Sequence, residues 1–233
     1  SSEPFQALGQ LVVLIAIWRS LLTFYRRCII PPKHPRQYGK WAVVTGCTDG
    51  IGKAYVDYLA EEGMNILLIS RSEDKLKDQM KALQELHGEK DADGVARFKY
   101  MAYDFTTTGS DCDAFFAKIE AVFEDFGKIG SLGVLINNVG ITNAHPMKLE
   151  EFDDGFVQDI LTVNVLSTIR MSRLAHRVML AKGNGAVISV SSGSGNHPTP
   201  QLAVYSSTKA LITQFSRSMH VECWGTGVRD SAP

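Results

Sequence analysis

The chain has 233 residues, of which 45% are hydrophobic and 21% charged, and its formal net charge is −1. This length and composition suffice for one globular domain with a sizeable core. The near-zero charge gives no basis for nucleic-acid binding. The six histidines and four cysteines lack metal-ligand spacing, so we expect no structural metal. Four cysteines in a chain of this size do not suggest a disulfide scaffold, and a reducing compartment is expected.

The first segment, residues 1–37, is predicted to be a hydrophobic membrane-anchor helix followed by a linker. Its apolar run Leu11–Trp18 is followed by Arg19, which would cost about 2.5–3.5 kcal/mol at the centre of a membrane. A membrane-spanning helix, a helix lying in the membrane interface and a buried core helix are therefore alternatives. Basic residues follow the apolar run: Arg26, Arg27, Lys33 and Arg36. They indicate that the remaining domain, residues 38–233, stays on the cytosolic side.

A short apolar strand, Trp41–Thr45, runs into a glycine-rich turn and then into a predicted helix. This order places backbone N–H groups and a helix N-terminus where they can bind a pyrophosphate. Glycines permit the tight turn and the close approach of the ligand. In this context the spacing G-x-x-x-G-x-G predicts a phosphate-binding turn. Its candidate residues are Gly46, Thr48, Asp49, Gly50, Ile51 and Gly52.

Three further apolar strands end in polar residues, and they are predicted at 65–69, 97–103 and 132–136. At the first of these ends an acidic residue would bind a ribose 2′-hydroxyl, whereas a basic residue accommodates a 2′-phosphate. Arg71 at this place therefore favours NADP(H), although a solvated loop charge is the alternative. Asp104 at the second end is a candidate for the adenine amine. Asn137 and Asn138 at the third end can brace the cofactor ribose or the backbone, and Asn137 is the candidate for the ribose; a simple turn is the alternative.

Residues 150–181 are predicted to form one long, mainly helical segment with Asn164 in its middle. Asparagine is a weak helix former, so an asparagine there often serves hydrogen bonding. Asn164 is a candidate to hold a water beside Lys209, and a tolerated polar residue on a helix face is an equal alternative.

A last strand, 186–190, delivers Ser192, and the next helix carries Tyr205 and Lys209 four residues apart on one face. A phenol is a poor proton shuttle at neutral pH, but a nearby cation favours its charged form. Lys209 is placed to supply that charge. Tyr205 can then give a proton to a carbonyl oxygen while Ser192 hydrogen-bonds the same oxygen. Because Tyr-x-x-x-Lys recurs by chance in ordinary helices, the other stretches must support this assignment.

Strands and helices alternate along the whole domain. This alternation predicts an α/β fold, with a doubly wound parallel sheet of Rossmann type covered on both faces.

Together these residues resemble the short-chain dehydrogenase/reductase family. The motifs occur in that family's order: Thr45-Gly46-x-x-x-Gly50-Ile51-Gly52, Asn137-Asn138-x-Gly140, Asn164, Ser192 and Tyr205-x-x-x-Lys209. The resemblance implies that Asn164, Ser192, Tyr205 and Lys209 form a catalytic tetrad. It also implies that Tyr205 and Lys209 contact the cofactor.

Residues 38–55 and 191–202 are similar to one membrane-anchored branch of the family. That branch holds very-long-chain 3-oxoacyl-CoA reductases, 17-beta-hydroxysteroid dehydrogenases of types 3 and 12, and hydroxysteroid dehydrogenase-like protein 1, which lacks the catalytic tyrosine. The resemblance implies NADPH, reduction of a bulky apolar ketone, and the endoplasmic reticulum membrane, with the mitochondrion as the alternative. Helices at 151–181 and 202–223 correspond to the family's usual pairing surface, which implies a homodimer.

The C-terminus departs from the family pattern after Val228. We expect five of the family's seven strands, a C-terminally truncated fold, and an uncovered apolar edge at 186–190. Two other functions therefore stay open. One is a regulatory relative that binds nucleotide or a homologous partner without turnover, and the other is a membrane-tethered dimerisation module.

Overall fold

The structure is a computed structural model that describes residues 3–25 and 33–232. The chain divides into two compact units, Ser1–His34 and Pro35–Pro233. In the first unit, helix α1 spans Glu3–Phe24, and its side chains from Leu11 to Trp18 are exposed. Arg26 and Arg27, two of the basic residues that follow the apolar run, lie outside the described residues. No helix within residues 3–25 or 33–232 is both long enough and apolar enough to cross a membrane.

The second unit alternates strands with helices. Its strands are β1 (Trp41–Thr45), β2 (Asn65–Ser70), β3 (Phe98–Ala102), β4 (Leu132–Asn137), β5 (Gly185–Ser189) and β6 (Val228–Ser231). Its helices are α2 (Gly50–Glu61), α3 (Glu73–His87), α4 (Gly109–Ile129), α5 (Asp154–Leu161), α6 (Ser167–Lys182) and α7 (Ala203–Glu222).

The six strands form one sheet in the order β3-β2-β1-β4-β5-β6, and every neighbouring pair is parallel. The predicted α/β fold with a doubly wound parallel sheet is therefore confirmed. The strand order reverses between β1 and β4, so the connections leave to opposite sides and open a crevice at the carboxyl ends of these strands.

Two apolar layers hold helices on the two faces of the sheet. Along β1, Ala42 and Val44 belong to one layer and Trp41 and Val43 to the other. The Trp41 ring stacks on Phe126 of α4 with ring centroids 4.2 Å apart. A strand buried on both faces has an uninterrupted apolar sequence, which is why the predicted bounds of β1 agree with the structure.

The prediction of a long, mainly helical segment over 150–181 is confirmed, but the segment is not one regular helix. A 3₁₀ turn, α5, a π-helical segment (Thr162–Leu166) and α6 follow one another there. Hydroxyl side chains in and beside the π-helical segment donate to carbonyl oxygens four residues earlier, namely Thr162 to Gln158 O and Thr168 to Asn164 O. Such bonds compete with the backbone ladder and locally change the helix.

The expectation of five strands, with β5 as an uncovered edge strand, is wrong. Residues Val228–Ser231 form a sixth strand that pairs with β5 along its length. In β6 the side chains of Val228 and Asp230 are buried, whereas Arg229 and Ser231 are exposed. Strand β5 is therefore paired on both sides, by β4 and by β6.

Asp230 is a charged residue type placed in the core, with its side chain 0% exposed. Its Oδ2 lies 3.4 Å from Nε2 of His176, which is itself buried on α6. His176 Nδ1–H donates to the Ser172 carbonyl at 2.8 Å, so the Nε2 lone pair faces Asp230. Burial raises the pKa of Asp230 from its usual 3.8 to about 7 and lowers the pKa of His176. A neutral carboxyl facing a neutral imidazole follows from these directions.

We expect the free energy of unfolding to depend on the Asp230 proton. Between pH about 4 and about 7 the folded chain keeps this proton and the unfolded chain loses it, so stability falls as pH rises. Asp230→Asn removes this dependence, because the amide does not titrate. Denaturant unfolding of both proteins at about pH 5 and about pH 8 measures the difference. The wild type should lose about 3 kcal/mol relative to the variant over this interval, because the folded-state pKa of about 7 lies about two units above pH 5. His176 is present in both proteins, so its own titration does not distinguish them. If the two free energies of unfolding differ by the same amount at both pH values, the buried neutral carboxyl is contradicted.

Candidate active site

The crevice at the carboxyl ends of β1 and β4 receives the glycine turn from one side and the segment after β4 from the other. Two of the turn's glycines, Gly46 and Gly50, have left-handed backbone conformations with φ of 61° and 52°. A Cβ on Gly46 would lie 2.9 Å from the Val139 Cα, and one on Gly52 would overlap the Gly46 carbonyl oxygen. The glycines at 46 and 52 are therefore required for the close approach of these two segments.

Asn138 holds the glycine turn in place. Its Nδ2 donates to the carbonyl oxygens of Gly46 at 2.8 Å and Thr45 at 3.2 Å. Thr45 Oγ1 in turn accepts from the backbone N–H groups of Asn138 and Val139 at 3.0 and 3.1 Å. The turn and the segment after β4 are thus joined in both directions.

The far side of the turn is open. No described heavy atom lies within 4 Å of the place where a Gly50 Cβ would be. Asp49 caps α2 by accepting from Gly50 N at 2.7 Å, and Ile51 is 59% exposed. A tight turn with open space in front of a helix N-terminus fits a pyrophosphate. The predicted turn residues are therefore together and have the shape that this group needs.

The carboxyl ends of β2 and β3 lie beside this turn. Thr48 Oγ1 is 3.0 Å from Ser70 Oγ, which joins the turn to β2. Arg71 Nη1 is 3.9 Å from Asp104 Oδ2, and the Arg71 side chain is 77% exposed. Asp104 Oδ1 accepts from the N–H and hydroxyl of Thr106 at 3.0 and 2.9 Å. A guanidinium with most of its surface free and one carboxylate nearby can accept a further anion.

Asn137 does not present its side chain to the crevice. The residue is 3% exposed, and its Nδ2 donates to Ser172 Oγ of α6 at 2.9 Å and to Ser189 Oγ of β5 at 3.3 Å. The contact of Asn137 with the cofactor ribose stays a prediction, and the hydrogen bonds seen here show the side chain bracing neighbouring elements. Successive residues of a strand point to opposite faces, so Asn137 packs inside and Asn138 braces the turn.

Lys209 brings α7 to the end of β5. It is 5% exposed, and its Nζ donates to the Val190 carbonyl at 2.8 Å. The same Nζ lies 5.8 Å from the centre of the Tyr205 ring. Burial lowers the pKa of Lys209 because it removes water from the ammonium group. The predicted pair is therefore on one face of one helix, at the carboxyl end of the sheet.

Asn164 is 1% exposed and lies in the π-helical segment. Its Oδ1 accepts from Ile141 N at 2.8 Å, and its Nδ2 donates to Ile141 O at 2.9 Å and to Thr208 Oγ1 at 3.1 Å. A Cβ on Gly140 would lie 3.3 Å from Asn164 Oδ1 and 3.4 Å from Lys209 Nζ. The asparagine and the lysine thus meet over the Gly140 backbone.

Ser192 opens a 3₁₀ turn (Gly193–Gly195) after β5. Its Oγ accepts from Ser194 N at 3.3 Å and from Ser194 Oγ at 2.9 Å. A hydroxyl has one hydrogen and two lone pairs. Because both lone pairs have donors, the Ser192 hydrogen stays available for a further hydrogen bond.

Two supporting residues were not predicted. Ser194 bonds to Ser192, and Thr208 joins Asn164 to α7 by donating to the Tyr205 carbonyl at 2.7 Å. Asn138 belongs to the predicted pair of amides, and it braces the backbone of the glycine turn. Thr208 directly precedes Lys209, and Ser194 follows Ser192 by two residues. The sequence signal for both residues was their position next to, or two residues from, a candidate site residue.

Comparison with known proteins gives consistent matches. The pattern of a family described as short chain dehydrogenase matches residues 40–232. A very-long-chain 3-oxoacyl-CoA reductase-A of Danio rerio is 39% identical over 200 residues, which cover 84% of this chain and 57% of the relative. An inactive hydroxysteroid dehydrogenase-like protein 1 of Homo sapiens is 35% identical over 193 residues, which cover 83% of this chain and 54% of the relative. The chain thus spans a little over half the length of these curated relatives.

A solved structure agrees with the fold. L-sorbose reductase from Gluconobacter frateurii, in a complex with NADPH and L-sorbose, superposes with a TM-score of 0.71 and 27% identity. The match covers 86% of this chain and 70% of that one. The family pattern covers most of the domain that holds the glycine turn, Ser192 and the Tyr205–Lys209 helix. The chain therefore belongs to the short-chain dehydrogenase family.

Proposed function

We propose that this chain is an NADPH-dependent reductase that converts the ketone of a long-chain 3-oxoacyl-CoA to the alcohol. The observation that carries the proposal is the buried ammonium of Lys209, 5.8 Å from the ring centre of Tyr205 at the carboxyl edge of the sheet. A buried charge is costly unless it is hydrogen-bonded, and here a carbonyl oxygen accepts from it. Such an arrangement is typical of a working site.

The nucleotide would bind along the crevice. A bound nicotinamide nucleotide would supply the hydride. The glycine turn holds the pyrophosphate, Arg71 meets the 2′-phosphate that distinguishes NADPH, and Asp104 lies near the adenine. This part of the proposal is supported by the open space before Gly50 and by the exposed guanidinium of Arg71.

Tyr205 and Ser192 act on the carbonyl oxygen of the substrate. The Tyr205 hydroxyl gives a proton to this oxygen as negative charge develops on it. Ser192 donates a hydrogen bond to the same oxygen, since its own Oγ already accepts two bonds from Ser194. Lys209 stabilises the phenolate that Tyr205 becomes, because its positive charge lies close to the ring.

The proton that leaves Tyr205 must be replaced from solvent. Asn164 uses both Nδ2 hydrogens on protein acceptors, which leaves one Oδ1 lone pair for a water. That oxygen faces Gly140 together with Lys209 Nζ. We therefore assign Asn164 two tasks: it braces Ile141 and α7, and it holds a water at the start of the proton path.

The substrate class rests on the relatives. The very-long-chain 3-oxoacyl-CoA reductases are 36–39% identical to this chain. A steroid ketone is the alternative substrate within the same reaction. Nucleotide binding without turnover is the second candidate function, and the 35% identity to inactive relatives favours it. The presence of Tyr205 and Lys209 on one face opposes that candidate.

We place this reaction at the endoplasmic reticulum membrane, with the domain in the cytosol. Eight successive residues of α1, Leu11–Trp18, are apolar and exposed, and a contiguous apolar surface of this kind marks an interaction site. The full chain should therefore float with phospholipid vesicles in a density gradient. Recovery of the full chain only in the vesicle-free fractions would contradict attachment through α1.

Replacing Tyr205 by phenylalanine should lower the rate of NADPH oxidation with a long-chain 3-oxoacyl-CoA by about 10²–10⁴-fold. The proton donor is lost, whereas the ring and its packing remain. Stopped-flow absorbance measures turnover, and protein fluorescence quenching measures NADPH binding. Binding should be nearly unchanged. Wild-type turnover in Tyr205→Phe would contradict the role of Tyr205, and binding without turnover in the wild type would instead support the second candidate function.

Replacing Arg71 by alanine should weaken NADPH binding by about 10–100-fold, as expected for a charge-assisted hydrogen bond. NADH lacks the 2′-phosphate, so its affinity should change little. Titration of each nucleotide against wild type, Arg71→Ala and Lys81→Ala compares these effects. Lys81 is an exposed cation of α3, so Lys81→Ala also removes one positive charge from the surface and serves as the control. Equal losses for both variants would exclude a specific phosphate contact at Arg71.

A further inference from the structure

Hydrogen bonds at its entry hold the turn that carries Ser192 against α7. Two hydrogen bonds join the end of β5 to Lys209: its Nζ donates to Val190 O at 2.8 Å, and its carbonyl accepts from Ser191 Oγ at 2.9 Å. These bonds precede Ser192 in the chain. They fix the entry to the turn and leave its far side to be held by something else.

Gly195 makes the contact on the far side. A Cβ at this position would lie 2.7 Å from Ala210 N, 2.8 Å from the Lys209 carbonyl carbon and 3.2 Å from Lys209 Cβ. The nearest two of these atoms belong to the backbone of a 20-residue helix, which cannot move aside as a flexible side chain can. The Gly195 backbone is not in a left-handed conformation, so the requirement for glycine is one of space alone.

Ser192 moves with this contact. Its Oγ is bonded to the N–H and hydroxyl of Ser194, within the same 3₁₀ turn. Any displacement of Gly195 from α7 is therefore transmitted to Ser192, while Tyr205 stays on the helix. The separation between the serine hydroxyl and the tyrosine hydroxyl depends on how closely Gly195 approaches Lys209.

We infer that Gly195 is a positioning residue that seats the Ser192 turn against the Lys209 backbone and so sets the Ser192–Tyr205 spacing. This inference rests on the proposed reductase function. A normal non-bonded contact needs the Cβ several tenths of an ångström farther away than the present backbone allows. A displacement approaching 1 Å at a reacting centre can reduce the rate by about 10²-fold.

The chain offers a matched control in the same turn. Gly193 also has a backbone conformation that is not left-handed, and no described heavy atom lies within 4 Å of its Cβ position. Gly195→Ala and Gly193→Ala therefore add the same methyl group to the same turn, and only the first meets α7.

The experiment measures kcat with a long-chain 3-oxoacyl-CoA and the Kd for NADPH in the full chain. Gly195→Ala should lower kcat by about 10²-fold and change Kd far less, because the glycine turn that holds the phosphates is distant in the chain. Gly193→Ala should stay within about twofold of wild type. In a Ser192→Ala background, Gly195→Ala should add little further loss, since it acts through Ser192.

The other possible results separate the positioning role of Gly195 from the proposed function. If the wild type turns over and Gly195→Ala matches Gly193→Ala, the positioning role is wrong and the proposed function stands. If Gly195→Ala loses the same factor with and without Ser192, its effect is general structural damage. If Gly195→Ala fails to fold, Ser191→Ala tests the seating from the entry side of the turn, because it removes the bond to the Lys209 carbonyl without adding volume. It should lower kcat in the wild-type background and add little loss in the Ser192→Ala background, and equal losses in both backgrounds would overturn the positioning role. Absence of turnover in the wild type overturns the function and this inference together.

Discussion

A buried ammonium group that needs a hydrogen-bond acceptor organises this domain. Lys209 is 5% exposed, and its Nζ reaches the Val190 carbonyl at the end of β5. An uncompensated buried charge would be strongly destabilising, so α7 must lie where this bond can form. The position of α7 then determines where the Tyr205 ring lies, because the two residues share one helical face. Asn164 approaches the same point from the π-helical segment, and Gly140 separates the two by backbone alone.

The site depends on glycines, which have no side chain, as well as on its polar groups. Glycines at 46, 52, 140 and 195 each face a neighbouring segment at a distance that leaves little or no room for a methyl group. These contacts occur where the connections after β1, β4 and β5 meet at the carboxyl edge of a parallel sheet, which is where such folds bind ligands. The polar side chains lock the same contacts: Asn138 bonds to Gly46, and Asn164 bonds to Ile141. Polar groups and close backbone approaches together define one rigid crevice rather than a set of independent loops.

Sequence reasoning predicted most of the sheet because strands buried on both faces are written as apolar runs; β1 is the clearest instance. It failed where a neighbour in space decides the local structure. Hydroxyl-to-carbonyl bonds around Asn164 leave no mark in the hydrophobic periodicity, so the π-helical interruption of the predicted helical segment 150–181 was not foreseen. Strand β6 was not predicted because aspartate is usually a surface residue. Only the structure shows that Asp230 is buried next to His176. Asn137 and Asn138 are adjacent and chemically identical, and only the direction of the strand end separates the buried one from the one that braces the turn.

In the proposed site, Lys209 acts in hydride transfer and is not only a structural tie between α7 and β5. The direct measurement is the transfer of deuterium from NADPH labelled at the nicotinamide C4 to a 3-oxoacyl-CoA, followed by mass spectrometry of the alcohol. Wild type and Lys209→Met are compared at matched folded fractions. We predict an alcohol one mass unit heavier with the wild type and at least about 10²-fold less of it with Lys209→Met. Equal labelled product from both proteins, or none from a wild type that binds NADPH, would contradict the account.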